Sequence, residues 1–199
     1  MKLVFDTETT GLPDFKARSD DPSQPHLVQL AILGIGDDGQ EEEASCVIIK
    51  PDGWIISPEV AAIHGITQER AMDEGIPEKA AVSLFVLSQA MSTIRIAHNE
   101  SFDRRIMRIA MTRAGYARDF IEAVEGRPVY CTCNSAKSVV NLPPTEKMVA
   151  AGFKGPKSPS LSECIQFFFG EALEGAHDAM VDARACAKIY AKLTSSMAA

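Results

Sequence analysis

Lys2-Leu3-Val4-Phe5-Asp6-Thr7-Glu8-Thr9-Thr10-Gly11 begins as an apolar run and ends in two carboxylates one residue apart. Lys2 to Phe5 has the length and character of a buried strand, and Gly11 and Pro13 stop it. Strand side chains alternate between faces, so Asp6 and Glu8 project together from the strand's end. Neighbouring carboxylates repel and raise each other's pKa, a conflict that a bound divalent cation removes. A bare Asp-x-Glu is more often a pair of solvated loop acids. Here an apolar strand precedes it and Thr-Thr-Gly follows, which makes it a candidate metal site.

Residues 13–26 are polar, carry Pro13, Pro22 and Pro25, and read as a long loop. Leu27 to Ile35 reads as a second strand. Gly36-Asp37-Asp38-Gly39 makes a hairpin turn, with a returning strand over Ala44 to Ile49. The period then changes. Helices are expected over Pro58 to Ile63, Pro77 to Met91, Phe102 to Ala114 and Ala117 to Ala123. Further helices are expected over Ser160 to Phe169 and Ala179 to Leu193, and short strands at Ile94 to Ala97 and Pro128 to Cys131. The stretch 141–160, with Pro143, Pro144, Pro156 and Pro159, reads as loop. Hairpin strands followed by alternating strands and helices give an α/β architecture, a mixed β-sheet flanked by α-helices. With 199 residues and no linker, a single domain over 1–199 is expected.

Three more residues stand out. Asp103 lies near the start of a helix, in a stripe with Met107, Ala110 and Ala114, and can serve as a helix cap or as a metal ligand. Asp182 shares the stripe Ala179, Cys186, Ile189 and Leu193, which faces the core. An ionised carboxylate there is costly unless it is paired or holds a metal. Arg184, two positions on, points elsewhere and is a poor partner. His177 stands just ahead of this helix. A lone histidine is usually structural, but beside a carboxylate cluster it can take a proton from water near neutral pH.

Phe5-Asp6-Thr7-Glu8-Thr9-Thr10-Gly11, His98-Asn99 through Phe102-Asp103, and His177-Asp178-Ala179-Met180-Val181-Asp182 resemble, in that order, the three motifs of the DEDDh exonucleases. Ile63-His64-Gly65-Ile66-Thr67 is also similar to a segment of the proofreading exonuclease subunit of bacterial replicative polymerase. The resemblance spans nearly the whole chain and implies a ribonuclease-H-like fold and 3′→5′ exonuclease activity. It implies that Asp6, Glu8, Asp103 and Asp182 hold two divalent metal ions, Mg²⁺ or Mn²⁺, and that His177 is the general base. The product would be a nucleoside 5′-monophosphate. Thr9 and His64 would contact the terminal nucleotide, and Leu12 and Phe102 its sugar or base. Asn99 would orient the site or cap a turn.

The net charge of −7 speaks against a broad basic surface gripping duplex DNA. The expected partner is a nucleic-acid 3′ end, with single-stranded DNA first. The arginines of the helix after Asp103 read mostly as a solvated face. An odd count of five cysteines and no signal-peptide or membrane-span pattern point to the cytoplasm. No polymerase-tethering tail is apparent, which favours a stand-alone enzyme. Three rivals stay open. They are an exoribonuclease with the same chemistry, a ribonuclease-H-like endonuclease, and an inactive binding module that keeps the fold. The inactive module would be expected to have lost a ligand, whereas all four acids and His177 are present.

Overall fold

The computed structural model describes residues 1–195; the last four residues of the expected domain, 196–199, lie outside the described part. Strands β1 (Lys2–Thr9), β2 (Leu27–Ile35), β3 (Glu41–Ile48), β4 (Arg95–Ala97) and β5 (Val129–Cys131) form one five-stranded sheet in the order β3-β2-β1-β4-β5. The pairs β1–β2 and β2–β3 are antiparallel, whereas β1–β4 and β4–β5 are parallel. The expected mixed α/β sheet is thus present. Among the described residues the helices are α1 (Pro58–His64), α2 (Gln68–Glu74), α3 (Glu78–Met91), α4 (Glu100–Arg113), α5 (Arg118–Glu125), α6 (Thr132–Val140), α7 (Glu146–Ala150), α8 (Leu161–Phe169) and α9 (Ala179–Ser195). None of them is long and apolar enough to cross a membrane.

Strand alternation builds two cores. Leu3, Phe5, Leu30 and Ile32 pack against α3 and α4, where they meet Phe85, Met107 and Ala110. Val4, Ala31, Leu33 and Ile96 pack against Ala179, Ala183 and Cys186 of α9. The strand β2 is buried along its whole length, as expected of an apolar run covered on both faces. The edge strand β3 begins at Glu41 rather than at the expected Ala44. Its exposed acids Glu41, Glu42 and Glu43 are strand residues, and charge on an edge strand discourages pairing with another chain.

Three helices were missed by sequence reasoning. In α6, Ala136 and Val140 pack against Cys164, Ile165 and Ile189, so burial overrides its weak helix propensity. Thr67 caps α2 by accepting the Arg70 N–H. The single-turn α7 interrupts the expected 141–160 loop and buries no side chain.

The long 13–26 loop is present but is not loose. Arg105 of α4 donates to the Asp14 and Ala17 carbonyls (3.1 and 2.6 Å) and to Ser19 Oγ (2.8 Å). Arg113, two turns on, donates to the carbonyls of Gln24 (2.6 Å) and Pro25 (2.7 Å) and to His26 Nδ1 (3.1 Å). The buried Gln24 side chain closes the loop from inside, bonding Asp14 and Arg18 backbone. The solvated face expected of these arginines holds for Arg104 and Arg118, which are exposed, whereas Arg108 pairs with the largely buried Glu125.

Candidate active site

The parallel strands β1 and β4 both end at one edge of the sheet, the usual place for a crevice in open α/β folds. Asp6 and Glu8 leave β1 on its α9 face, and Thr7 leaves on its α4 face. Asp103 lies one turn inside α4, whose N-cap is Asn99, so Asp103 is not a cap. It is 2% exposed, and its Oδ1 accepts the Thr7 backbone N–H (3.1 Å) and the Thr7 hydroxyl (2.8 Å). Opposite, Asp182 Oδ2 accepts the His177 backbone N–H at 3.2 Å. Its Oδ1 is buried with no hydrogen-bond partner. Arg184 pairs with Glu41 of β3 and leaves Asp182 alone, as the helical spacing implied.

Asp6, Glu8, Asp103, His177 and Asp182 line one cavity of about 370 Å³. Thr9, Leu12, His64 and Phe102 line it as well. Thr9 Oγ1 donates to the Gly11 carbonyl (2.7 Å), holding the turn that presents Leu12, which is 86% exposed. His64 is buried. Its Nδ1 accepts the Ile66 N–H (3.1 Å), which leaves the proton on Nε2, and Nε2 has no partner. Asn99 is the exception: it lines a neighbouring cavity, and its backbone sits in the left-handed region (φ 65°). His177 is exposed and also has a positive φ, 70°.

Proximity leaves its mark on the acids. Burial, then the charges of Asp103, Asp182, Glu8 and Asp178, hold Asp6 well above the usual carboxylate range. Burial and then Asp182 and Asp103 push Glu8 up to about 8. Burial lifts Asp103 to about 7 despite the opposing Thr7 hydrogen bonds. Asp182 is also raised by burial, against the pull of the His177 N–H and charge. Such a set is unhappy as four anions and suits a hard divalent cation with oxygen ligands. Ligand atoms of Glu8, His177 and Asp182 all lie within 4.8 Å of one another, a possible metal site that also reaches the histidine. The orphaned Asp182 Oδ1 fits the same demand, because a buried acceptor without a donor is costly unless it is coordinated.

Sequence reasoning passed over the supports. Thr7 was given no role of its own, and no local signal marks its grip on Asp103. Asp178 was legible as a helix start: its Oδ1 accepts the Met180 and Val181 N–H groups at the head of α9 (3.0 and 3.1 Å). Gln29 of β2 accepts the Ala179 N–H (3.0 Å) and fixes that same turn to the sheet.

The sheet order and the acid-lined crevice at the strand ends define a nuclease of the ribonuclease-H-like class. The family model for exonucleases, RNase_T, matches residues 3–190, and the chain belongs to that family. It is 23% identical to the DNA polymerase III epsilon subunit of Escherichia coli K12, over 97% of this chain and 71% of that one. It is 28% identical to the PolC-type DNA polymerase III of Thermotoga petrophila, over 98% of this chain but 12% of that protein. The fold matches exonuclease I, with a TM-score of 0.75 at 21% identity over 98% of this chain and 40% of that one. A structure of E. coli exonuclease I with a dA16 oligonucleotide gives a TM-score of 0.73 at 22% identity, with the same coverage. Family and fold together support the expected enzyme class, a 3′→5′ exonuclease.

Proposed function

We propose that this domain removes nucleoside 5′-monophosphates one at a time from the 3′ end of a DNA strand, with two divalent cations and His177 as general base. The observation that carries this reading is the buried, unpartnered Asp182 Oδ1, set among carboxylates that crowd one another out of their normal range. Asp6, Glu8, Asp103 and Asp182 would hold the ions, Mg²⁺ or Mn²⁺. Bound there, the ions would act as Lewis acids that offset charge on the phosphoryl group and its leaving oxygen.

The chain's own residues do the rest. Thr7 keeps Asp103 oriented. The 3′-terminal nucleotide fills the cavity among Thr9, Leu12, His64 and Phe102, where His64 Nε2–H is a free donor. The His177 imidazole takes the proton from the attacking water. Its exposure lets it return that proton to solvent, and its backbone bond to Asp182 keeps it beside the cluster. The bond from phosphorus to the penultimate 3′ oxygen breaks, and that oxygen takes up a proton. DNA is favoured as substrate because relatives named for DNA polymerase III align with 97–98% of this chain, and because the exonuclease I neighbour holds a DNA oligonucleotide.

The test is digestion of matched 5′-labelled DNA and RNA single strands with Mg²⁺ or Mn²⁺, beside an Asp6→Asn control. The expected result is a one-nucleotide DNA ladder with wild type alone. A faster RNA ladder would reassign the substrate. Cleavage of 3′-blocked strands would point to an endonuclease, and no cleavage by folded, metal-supplied protein would leave a binding module.

A further inference from the structure

The catalytic cavity does not end at His177 and Asp182. A second cavity of about 720 Å³ lies on their other side, and His98, His177 and Asp182 line both. The two spaces therefore meet at the cluster, where a scissile phosphate must sit. Only the second carries a lysine. The first presents Leu12, Val60, Ile63 and Phe102, surfaces for a base and sugar. The second adds the hydrogen-bond donors Lys157, Asn99 and the hydroxyls of Ser158 and Ser162, set beside Glu163 and the apolar Leu161 and Leu173.

We propose that the second cavity is the entry groove for the substrate strand, and that Lys157 holds a backbone phosphate on the 5′ side of the scissile bond. The inference rests on the exonuclease reading given above. A strand that ends in the apolar cavity and crosses the carboxylates has to leave on this side. The groove wall is built onto the site itself. His98 Nε2 donates to the Pro159 carbonyl (2.9 Å), and the Lys157 backbone N–H donates to the Leu142 carbonyl (3.1 Å). Lys157 Nζ meanwhile pairs with Glu163 Oε1 at 2.5 Å, with both side chains partly exposed. Glu163 is also the capping-box residue of α8. The carboxylate thus keeps the ammonium folded down between substrates, and an incoming phosphate competes with it for the same protons. A protein of net charge −7 can admit a polyanion in this way, through one guarded cation rather than a basic face.

The experiment measures KM and kcat for 5′-labelled single DNA strands of increasing length across a salt series. Three proteins are compared with wild type: Lys157→Ala, Lys157→Arg and Glu163→Gln. With Lys157→Ala, KM for long strands should rise about tenfold, the cost of one charge-assisted contact. The slope of log KM against log salt should flatten by about 0.7, one phosphate's worth for a single strand. Lys157→Arg should keep both properties. Glu163→Gln, which retains a capping-box side chain but not the charge, should lower KM. An unchanged salt slope in Lys157→Ala, or a raised KM in folded Glu163→Gln, would overturn the groove assignment while leaving the exonuclease reading intact. Failure of wild type to shorten any strand would remove that reading, and the groove with it.

Discussion

The two halves of the acidic cluster are built differently. On the α4 side, Asp103 is sealed in the core and gripped at one oxygen by both the N–H and the hydroxyl of Thr7. On the α9 side, Asp182 keeps one buried oxygen without a partner, and His177 stands exposed on a left-handed turn ahead of the helix. One half is finished by the protein alone. The other carries an unmet demand, which is where a ligand contributes most. The contrast lies in what each side leaves open: α4 supplies an acid whose orientation β1 already fixes, while the head of α9 supplies an acid with an open oxygen and an exposed histidine.

This division can be broken from either side. Asp182→Asn removes a charge from the unfinished half and should cut kcat by about a thousandfold or more, since several kcal/mol of transition-state stabilisation depends on the metal site. Single-turnover assays at saturating Mn²⁺ check it, and a rate near wild type would strip Asp182 of its role. His177→Ala should lower kcat by about a hundredfold or more with KM little changed, as for loss of a general base. A KM effect of the same size would instead make His177 a binding residue. On the finished half, Thr7→Val keeps the backbone bond and shape but loses the hydroxyl. A hydrogen bond to a charged group contributes about 1.5–3 kcal/mol, so both thermal stability and kcat should fall, kcat by about tenfold. An effect on kcat without one on Tm would place Thr7 in the chemistry rather than the frame.

The smallest effect concerns pH. In chelator, Glu8 and Asp103 titrate near about 8 and about 7 in the folded chain. Both values lie above the range near 4 of an unfolded carboxyl. The folded state then holds protons that the unfolded state releases, so this contribution to stability is present at low pH and lost as pH rises through those values. Tm in EDTA should therefore be lower at pH 8 than at pH 5, and added Mn²⁺ should restore it at pH 8. A Tm in EDTA that rises over this interval would contradict the crowding of the cluster.

Much of this contrast was legible from the chain. Asp6 and Glu8 were readable because strand alternation puts residues two apart on one face, and Asp182 because it interrupts an apolar helical stripe. Asp103 stayed ambiguous between cap and ligand, since its meaning depends on Thr7, which lies 96 positions away. Long-range side-chain bonds of that kind leave no local pattern. The same holds for Arg105 and Arg113, which look like solvated helix residues until the 13–26 loop is folded over them. The α6 segment failed for a related reason, because its helix depends on burial against α8 and α9 rather than on its own propensity. Asn99 was read as orienting the site or capping a turn; it stands at the N-cap position of α4 and lines the adjoining cavity, a placement that residue type alone does not encode.

The two arginine clasps on the 13–26 loop change what that rim is mechanically. The loop has no strand or helix of its own, yet six guanidinium hydrogen bonds bind it to the outer side of α4. Leu12 stands at the loop's start and Asp103 on the helix beneath it, so the rim of the cavity and part of its floor hang on one helix.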